Sequence, residues 1–344
     1  MLGRPRGDPG AGVLSVAVLV AGLGYIGAAL AEALLEAGER VVGIDNGFAT
    51  NRAALARLAE QPTFHLIEGS VSATRAVARA FAAAPIDVVY HLAAQASGHP
   101  AAAPARYTET TNLSGPRVVL DAAVRHGARR VVYASSLRVY GPVLPPRVDE
   151  SAPYGPQGDL AHLSHVYGEK LLELYARRAE LCGVAVRLAV VYGLGPVTKT
   201  DYRFMTVPNK FCLQAVRGEP LEVYPGAATP TGFIHLADAC AALRAAAAAP
   251  WPAGFHAANA AGEIRTVPEV AAAVAQAARA RGLDAQIRGA GDADASPDAA
   301  PQPLAAGAGV AIHSRLDAVG WRPERTLATS LEAMLDYFQA RAAA

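Results

Sequence analysis

The stretch VAVLVAGLGYIGAALAEALLEAG, residues 16 to 38, decides the fold that we predict for this chain. It begins as an apolar, β-branched run typical of a buried strand and ends as an amphipathic helical pattern. Between the two lies Gly22-Leu23-Gly24-Tyr25-Ile26-Gly27, a Gly-x-Gly-x-x-Gly turn. Its glycines permit a tight turn and close backbone approach, while the N-terminus of the helix favours a pyrophosphate. The stretch therefore predicts a strand-turn-helix unit that binds a dinucleotide.

Five further apolar runs alternate with helical patterns along the chain. They are RVVGID (40 to 45), TFHLIEG (63 to 69), DVVYHLAA (87 to 94), RRVVYASS (129 to 136) and VAVRLAVVYG (184 to 193). Alternation of strand and helix predicts a parallel sheet that is covered on both faces. The predicted fold class is α/β, a Rossmann-type doubly wound parallel sheet with a smaller C-terminal substrate lobe.

Asp45 ends the second predicted strand, about 20 residues beyond the Gly-rich turn, where a carboxylate accepts the ribose hydroxyls of NAD. The carboxylate would repel a 2′-phosphate and no Arg directly follows it, so the sequence favours NAD over NADP. The alternative is that Asp45 only caps the next helix.

Composition excludes several classes of function. The formal net charge is +1 and no long Lys/Arg cluster occurs, so we expect no nucleic-acid or membrane partner. The run 16–21 is too short to span a bilayer. Cys182, Cys212 and Cys240 are scattered without metal-ligand spacing, so we expect neither a disulfide framework nor a metal site, and a cytoplasmic location.

Motifs beyond the first turn resemble the extended short-chain dehydrogenase/reductase family, in its nucleotide-sugar epimerase/dehydratase branch. The resemblance covers almost everything from Val16 to Tyr337, and 206–224 resembles the corresponding segment of the sulfoquinovose synthases of that branch. The motifs are VAGLGYIG, HLAAQAS (91 to 97), TNLSGPRVVLDAAVRHGARRVVYASSLRVYG (111 to 141), RLAVVYGLGP (187 to 196), GEPLEVYPG (218 to 226), GFIHLADAC (232 to 240) and VGWRP (319 to 323).

The resemblance implies a domain organisation and a set of cofactor contacts. We expect a flexible tail over 1–15, an NAD-binding Rossmann domain over 16–195 and a lobe over 196–344 that mainly binds substrate. Segments at about 232–260 should return to the Rossmann domain, and 289–309 has the composition of an unstructured loop. The predicted cofactor-binding residues are Gly22, Gly24, Tyr25, Ile26, Gly27, Asp45, Asn46, Leu92, Ala93, Ala94, Asn112 and His165.

The resemblance also implies a nucleotide-diphosphate sugar as the substrate. Ser136 would present its hydroxyl to the sugar; the alternative is an ordinary polar residue at a strand end. Relatives carry a phosphate-binding Arg where this chain has Thr231, so other positive donors are needed. The predicted substrate-binding residues are Ser136, Lys199, Arg203, Asn209, Lys210, Arg217 and Tyr224; the alternative for the charged ones is a solvated surface.

The segment AHLSHVYGEK, residues 161 to 170, departs from the family at its catalytic Tyr-x-x-x-Lys pair. Tyr167 and Lys170 are three residues apart, not four. An alignment without gaps, anchored on Glu169 and Arg187, instead places Ala161 at the Tyr and His165 at the Lys. On a helix, Tyr167 and Lys170 then point about 120° to 180° away from positions 161 and 165. The alternative, a shifted motif that uses Tyr167 and Lys170, requires gaps.

Ala161 cannot remove a proton, so a substitute acid/base set is expected. His165 could hold the nicotinamide ribose, and His162 or His165 could act as the base because imidazole titrates near neutrality. The predicted catalytic residues are therefore Ser136, His162 and His165. The alternative is that both histidines only satisfy local hydrogen bonds.

Three functions follow from this pattern. The first is NAD-dependent modification of a nucleotide sugar by transient oxidation. Enzymes of the family that catalyse 4,6-dehydration have an Asp-Glu pair where this chain has Leu137 and Arg138, so that reaction is disfavoured. The second is a plain NAD-dependent dehydrogenase of another small substrate, and the third a catalytically silent subunit that binds NAD or a nucleotide sugar.

A homodimer is expected through the helices 115–126 and 162–181, whose apolar residues include Val118, Val119, Leu171, Leu174 and Tyr175.

Overall fold

The computed structural model describes residues 16–50, 52–97, 99, 101–224, 228–289 and 309–342. The predicted tail over 1–15, and the predicted loop 289–309 except for its two end residues, lie outside these described residues.

Strands and helices alternate through the first two thirds of the chain. The strands are β1 (Ala17–Ala21), β2 (Val41–Asp45), β3 (Phe64–Glu68), β4 (Ile86–His91), β5 (Arg130–Ser136), β6 (Arg147–Val148), β7 (Cys182–Leu188), β8 (Val190–Tyr192), β9 (Leu221–Val223), β10 (Thr231–His235), β11 (Gly254–Ala260), β12 (Glu263–Arg265), β13 (Ile287–Gly289) and β14 (Ala311–Ile312). The helices are α1 (Tyr25–Glu36), α2 (Arg52–Ala59), α3 (Thr74–Ala83), α4 (Ala105–Glu109), α5 (Gly115–Arg125), α6 (Leu160–Ala179), α7 (Val207–Arg217), α8 (Leu236–Ala248), α9 (Val267–Arg279) and α10 (Leu327–Ala342).

The central sheet has seven parallel strands in the order β11-β7-β5-β4-β1-β2-β3. Alternation along β1 sends Val18 and Val20 into a core shared with α1 and α8, while Leu19 and Ala21 pack with α3 and α5 on the other face. Strand order reverses between β1 and β4, which creates a crevice at their carboxyl ends. The predicted Rossmann-type doubly wound fold is thus confirmed.

The prediction of one strand over 184–193 is wrong. β7 ends at Leu188, and β8 pairs with β10 in a separate three-stranded sheet of order β12-β10-β8. The N–H of Ala189 still donates to the carbonyl of Ala260, and the chain then leaves the central sheet. Both segments are apolar and β-branched, so their periodicity does not reveal the break.

The small sheet belongs to a second core. Phe211, Phe233 and Phe338 are buried there among residues of α7, α9 and α10. Within the segment at about 232–260, residues of β10 stay with this small sheet, whereas α8 and β11 lie with the central sheet.

A buried ion pair fixes α6 against the central sheet. Nη2 of Arg187, on β7, lies 2.7 Å from Oε2 of Glu169, and neither side chain is more than 4% exposed. Glu169 also accepts hydrogen bonds from Ser135 Oγ at 2.5 Å and Tyr154 OH at 2.9 Å, while Arg187 Nη1 donates to Tyr140 OH at 2.6 Å. The network joins α6 to the carboxyl ends of β5 and β7.

We expect Glu169→Ala to lower the free energy of unfolding by about 3 to 5 kcal/mol, because it leaves the Arg187 guanidinium buried without a counter-charge. Urea denaturation measures this change. The matched control is Glu173→Ala on the same helix, whose carboxylate pairs at the surface with Lys170 and Arg177 and should contribute less than about 1 kcal/mol. Equal losses for the two variants would contradict the role of the ion pair.

Candidate functional site

The Gly-rich turn leaves room for a ligand at the N-terminus of α1. Gly22 has a φ of 98°, and a Cβ atom there would lie 2.5 Å from the backbone of Ala93. A Cβ at Gly27 would lie 1.8 Å from the carbonyl oxygen of Gly22, whereas one at Gly24 would meet no described atom within 4 Å. Gly24 caps α1 without a side-chain hydrogen bond, so first-turn N–H groups remain available to an anion. This cradle fits the pyrophosphate of a dinucleotide.

A groove opens beside this turn, at the carboxyl ends of β1, β2 and β4. Its lining includes most of the predicted cofactor residues: Gly22, Gly24, Asp45, Asn46, Leu92, Ala93 and Ala94. Tyr107 and Thr111 also line it and were not predicted. Their place depends on how α4 and the π-helical turn Thr110–Ser114 fold back over the sheet, which no local sequence pattern encodes.

Asp45 shapes the groove as well as facing it. Its Oδ2 accepts a hydrogen bond from the N–H of Leu23 at 2.7 Å, and its Oδ1 accepts from Gly47 N and Thr50 Oγ1. The carboxylate thus joins the Gly-rich turn to the loop after β2, rather than capping the first turn of α2 at Arg52. Carboxylate oxygens accept more than one hydrogen bond, so ribose hydroxyls remain suitable partners.

Tyr25 and Asn209 meet at Gly193, away from the groove lining. The Tyr25 hydroxyl donates to the Gly193 carbonyl at 2.6 Å, and burial raises the pKa of this phenol. The Asn209 amide accepts from Gly193 N at 3.0 Å and donates to Gly193 O at 2.8 Å. Ile26 packs against the core. The side chains of Tyr25 and Asn209 therefore position the segment after β8 rather than present free polar groups.

Asn112 is likewise a positioning residue. Its amide is buried and exchanges hydrogen bonds of 2.8 and 2.9 Å with the backbone of Gln95. It also donates to Ser164 Oγ at 2.9 Å, and that hydroxyl donates to the carbonyl of Ala161 at 2.6 Å. Asn112 thus connects the loop after β4 to the first turn of α6.

Ser136 lies at the end of β5, where it lines a second, small pocket. Its Oγ accepts a hydrogen bond from the N–H of Arg138 at 3.2 Å, which leaves the hydroxyl hydrogen free to donate. Leu137, Arg138, Leu188, Pro230 and Thr231 are among the other residues that line this cavity.

Ala161 and His165 occupy the buried face of α6, at 4% and 7% exposure. Nδ1 of His165 has no hydrogen-bond partner within the described part of the chain. Burial lowers the pKa of His165 to about 4, so its imidazole is neutral at neutral pH. Tyr167 is 38% exposed and Lys170 donates to Glu173, so both lie on the outer side of the helix.

Gly168 fixes the packing of α6 on the central sheet. A Cβ atom at this position would lie 2.3 Å from the hydroxyl oxygen of Tyr133 on β5. The ring of Tyr133 also meets that of His165 edge to face, with centroids 6.4 Å apart. A larger residue at 168 would push the helix away from β5.

His162 is paired with a carboxylate that the sequence analysis missed. Its Nδ1 lies 2.5 Å from Oδ2 of Asp159, whose Oδ1 accepts from the His162 N–H as the N-cap of α6. An Asp directly before a helical pattern is typical of a helix N-cap, so the sequence could have identified Asp159 as the residue beside His162. The pair orients the ring and leaves Nε2 as the nitrogen that can exchange a proton.

Three of the predicted substrate-binding cations lack an acidic partner. Lys199, Lys210 and Arg217 have no carboxylate within ion-pair distance among the described residues. Lys199 lies 5.4 Å from the ring of Phe204, and burial lowers its pKa. Lys210 and Arg217 lie 5.7 and 5.3 Å from the ring of Tyr202. These side chains could bind an anionic ligand without breaking an ion pair.

Arg203 and Tyr224 differ from that group. Arg203 is engaged by Asp201, with Nη2 2.6 Å from Oδ2, and it also donates to the carbonyl of Ala101. Tyr224 is 62% exposed and donates to Glu222. Both nevertheless lie beside the unpaired cations: Arg203 is 5.6 Å from the Phe204 ring that Lys199 also contacts, and Lys210 is 5.8 Å from the ring of Tyr224. They differ from the unpaired cations in that their own polar groups are already engaged.

The described residues include no group of three His, Cys, Asp or Glu side chains that could hold a metal ion. The same part of the chain has no helix that is both long and apolar enough to cross a membrane. Cys182, Cys212 and Cys240 are buried, free thiols.

Comparison with known proteins identifies similar sequences and folds. Residues 18–257 match the model of the NAD dependent epimerase/dehydratase family. UDP-glucuronic acid decarboxylase 1 of Arabidopsis thaliana is 29% identical over 232 residues, which cover 64% of this chain and 49% of that protein. UDP-glucose 4-epimerase of Bacillus subtilis is 29% identical over 200 residues, or 56% of this chain and 58% of that one. The matches thus span about half the length of these curated relatives.

Solved structures match over nearly the whole chain. The UDP-glucose 4-epimerase of Thermus thermophilus, in complex with NAD, has a TM-score of 0.74 at 25% identity, covering 94% of this chain and 99% of that one. The UDP-glucuronic acid 4-epimerase of Bacillus cereus, in complex with UDP-glucuronic acid and NAD, has a TM-score of 0.76 at 21% identity and the same coverage, a likeness of fold alone.

We expect Asp45→Ala to weaken NAD binding by about 10- to 100-fold, because it removes charged hydrogen-bond acceptors and releases the N–H of Leu23. Calorimetric titration of the full chain with NAD measures the change. The control is Glu39→Ala, which removes an exposed carboxylate just before the opposite end of β2. Unchanged NAD affinity in Asp45→Ala would refute the assignment.

Proposed function

The chain belongs to the NAD dependent epimerase/dehydratase family, and from this premise we propose that it binds NAD and modifies a nucleotide-diphosphate sugar through transient oxidation. One observation carries the proposal. The groove follows β1, β2 and β4, and Ser136 ends the adjacent strand β5, so a cofactor cradle and a separate cavity with a free hydroxyl share one edge of the sheet.

The cations of the second lobe support a diphosphate-containing substrate. Lys199, Lys210 and Arg217 lack carboxylate partners in the described structure, and phosphate oxygens are the partners that such donors favour. The proteins compared above carry UDP-sugar names. We assign the same general class, a nucleotide sugar, to this chain.

In the proposed arrangement, Ala161 and His165 stand where relatives have the catalytic Tyr and Lys. Both lie on the buried face of α6, whereas Tyr167 and Lys170 lie outside. His165 is held neutral by burial, so it can exchange a hydrogen bond with a ribose hydroxyl but brings no positive charge.

Ser136 and His162 then share the proton chemistry. Ser136 donates a hydrogen bond to the sugar oxygen, using the hydrogen that its contact with Arg138 leaves free. His162, oriented by Asp159, takes the proton of the sugar hydroxyl at Nε2 and returns it later. NAD, when bound, supplies the hydride acceptor.

A second candidate function is a silent subunit that binds NAD and a nucleotide sugar. The observation that favours it is the lack of any phenol at position 161, together with a His165 that is a weak base. Incubating the NAD-loaded chain with UDP-, dTDP- and GDP-sugars distinguishes the candidates. Transient nicotinamide reduction with a changed sugar supports the enzyme, binding without turnover supports the subunit, and net NADH formation indicates a plain dehydrogenase.

We expect Ser136→Ala, His162→Gln and His165→Ala each to lower turnover by at least about tenfold, since each removes a proposed proton or ribose contact. Tyr167→Phe and Lys170→Ala are the matched variants from the outer face of α6 and should keep most activity. Steady-state kinetics with the sugar found above provides the measurement. If Tyr167→Phe abolishes turnover while NAD still binds, the shifted-motif alternative is correct.

We propose that the chain forms a homodimer through α5 and α6. Leu163, Tyr167 and Leu174 are 50%, 38% and 40% exposed, and their spacing places them within one narrow stripe of α6. Val118 and Tyr175 flank the stripe, where Tyr175 donates to Asp121 of α5. Two copies that pack these helices together would cover the apolar residues.

We expect light scattering to give a dimer at micromolar concentration and Leu174→Glu to give a monomer, because a charge in the stripe opposes burial. Val319→Glu, at an apolar residue 39% exposed outside α5 and α6, is the control and should remain dimeric. A monomeric wild-type chain would contradict the proposal.

A further inference from the structure

The cavity around Ser136 contains one cation and no acid. Arg138 is the one charged side chain among the described residues that line it; the rest of the wall is apolar apart from the hydroxyls of Ser136 and Thr231. Leu144, Leu188 and Pro230 are part of this apolar wall. A cation beside such walls loses hydration, and an anionic ligand would offset that loss.

Arg138 is also poorly satisfied within the chain. A guanidinium group has five N–H donors, and that of Arg138 makes one hydrogen bond to the described residues, from Nη1 to the carbonyl of Pro142 at 3.3 Å. No described carboxylate lies within ion-pair distance of it. Arg187 and Arg203, by contrast, each hold a carboxylate with several short bonds.

Arg138 lies next to Ser136, the residue that we propose contacts the sugar of the ligand. Its backbone N–H donates to Ser136 Oγ at 3.2 Å, and both residues line the same small pocket. A carboxylate bound by the guanidinium would then lie on the moiety next to the Ser136 hydroxyl, which in the proposed function is the sugar.

We propose that Arg138 is a specificity residue that selects a nucleotide sugar whose sugar carries a carboxylate. The planar guanidinium matches a carboxylate with two parallel hydrogen bonds, which a neutral hydroxymethyl group cannot form. This inference rests on the proposed function, since it concerns the sugar end of that substrate. The diphosphate is the other anionic group of such a ligand, and the experiment separates the two.

Calorimetric titration of the full, NAD-loaded chain with UDP-glucuronic acid, UDP-glucose and UDP tests the proposal. We expect the wild type to bind UDP-glucuronic acid about 10- to 100-fold more tightly than UDP-glucose. Arg138→Gln should abolish this preference without changing the affinities for UDP-glucose and UDP, and Arg138→Lys should restore part of it. Arg125→Gln, which removes an exposed charge at the end of α5, should leave all three affinities unchanged.

The unaffected UDP-glucose and UDP titrations show that each variant is folded. Equal weakening of all three ligands by Arg138→Gln would place the guanidinium on the diphosphate and overturn the proposal. A wild type that binds both sugars equally would also overturn it while leaving the proposed function intact. If none of the three ligands binds, this inference is overturned, whereas the proposed function fails only if the dTDP- and GDP-sugars do not bind either.

Discussion

The ion pair between Glu169 and Arg187 is the constraint on which the rest of the site depends. Both charges are buried, so each needs the other, and the surrounding hydroxyls of Ser135, Tyr140 and Tyr154 occupy their remaining hydrogen-bonding positions. Because Glu169 stands one turn after His165 and Ser135 immediately precedes Ser136, satisfying the charges also sets the position of both site residues. This buried polar network between α6 and the central sheet thus fixes where Ser136 and His165 lie.

The site divides into a part that depends on backbone and a part that depends on side chains. At the cofactor groove, Gly22 and Gly24 offer peptide groups and open space, and Asp45 adds a carboxylate that also holds the turn. At the pocket beside Ser136, the proposed function rests on individual side chains, above all Ser136 and Arg138. The groove should tolerate more substitutions of its neighbouring side chains than the pocket, because peptide groups supply its ligand contacts.

Sequence patterns locate the groove beside the Gly-rich turn because its signals are local. The turn at Gly22 to Gly27 and the carboxylate of Asp45 are adjacent to their own strands, and the groove lining contains Gly22, Gly24 and Asp45. The sequence analysis did not predict Tyr107 or Asp159. Tyr107 lies on α4 and lines the groove only because of the tertiary fold, and the role of Asp159 depends on its contact with His162 at the N-terminus of α6. Asn209 matches a substrate segment in sequence, yet its amide is engaged by Gly193, a partner that only tertiary structure reveals.

The close contact between Gly168 and Tyr133 restricts how this lineage can change its chemistry. With the register of α6 held at position 161, inserting or deleting one residue between positions 161 and 168 would set a side chain against the Tyr133 hydroxyl and draw Glu169 away from Arg187. A one-residue shift of α6 along β5 is therefore a costly route to a Tyr–Lys pair at positions 161 and 165. What remains is replacement at codons 161 and 165, and in the standard genetic code each of Ala to Tyr and His to Lys requires more than one base change. In the proposed register, several base changes therefore separate Ala161 and His165 from a Tyr–Lys pair.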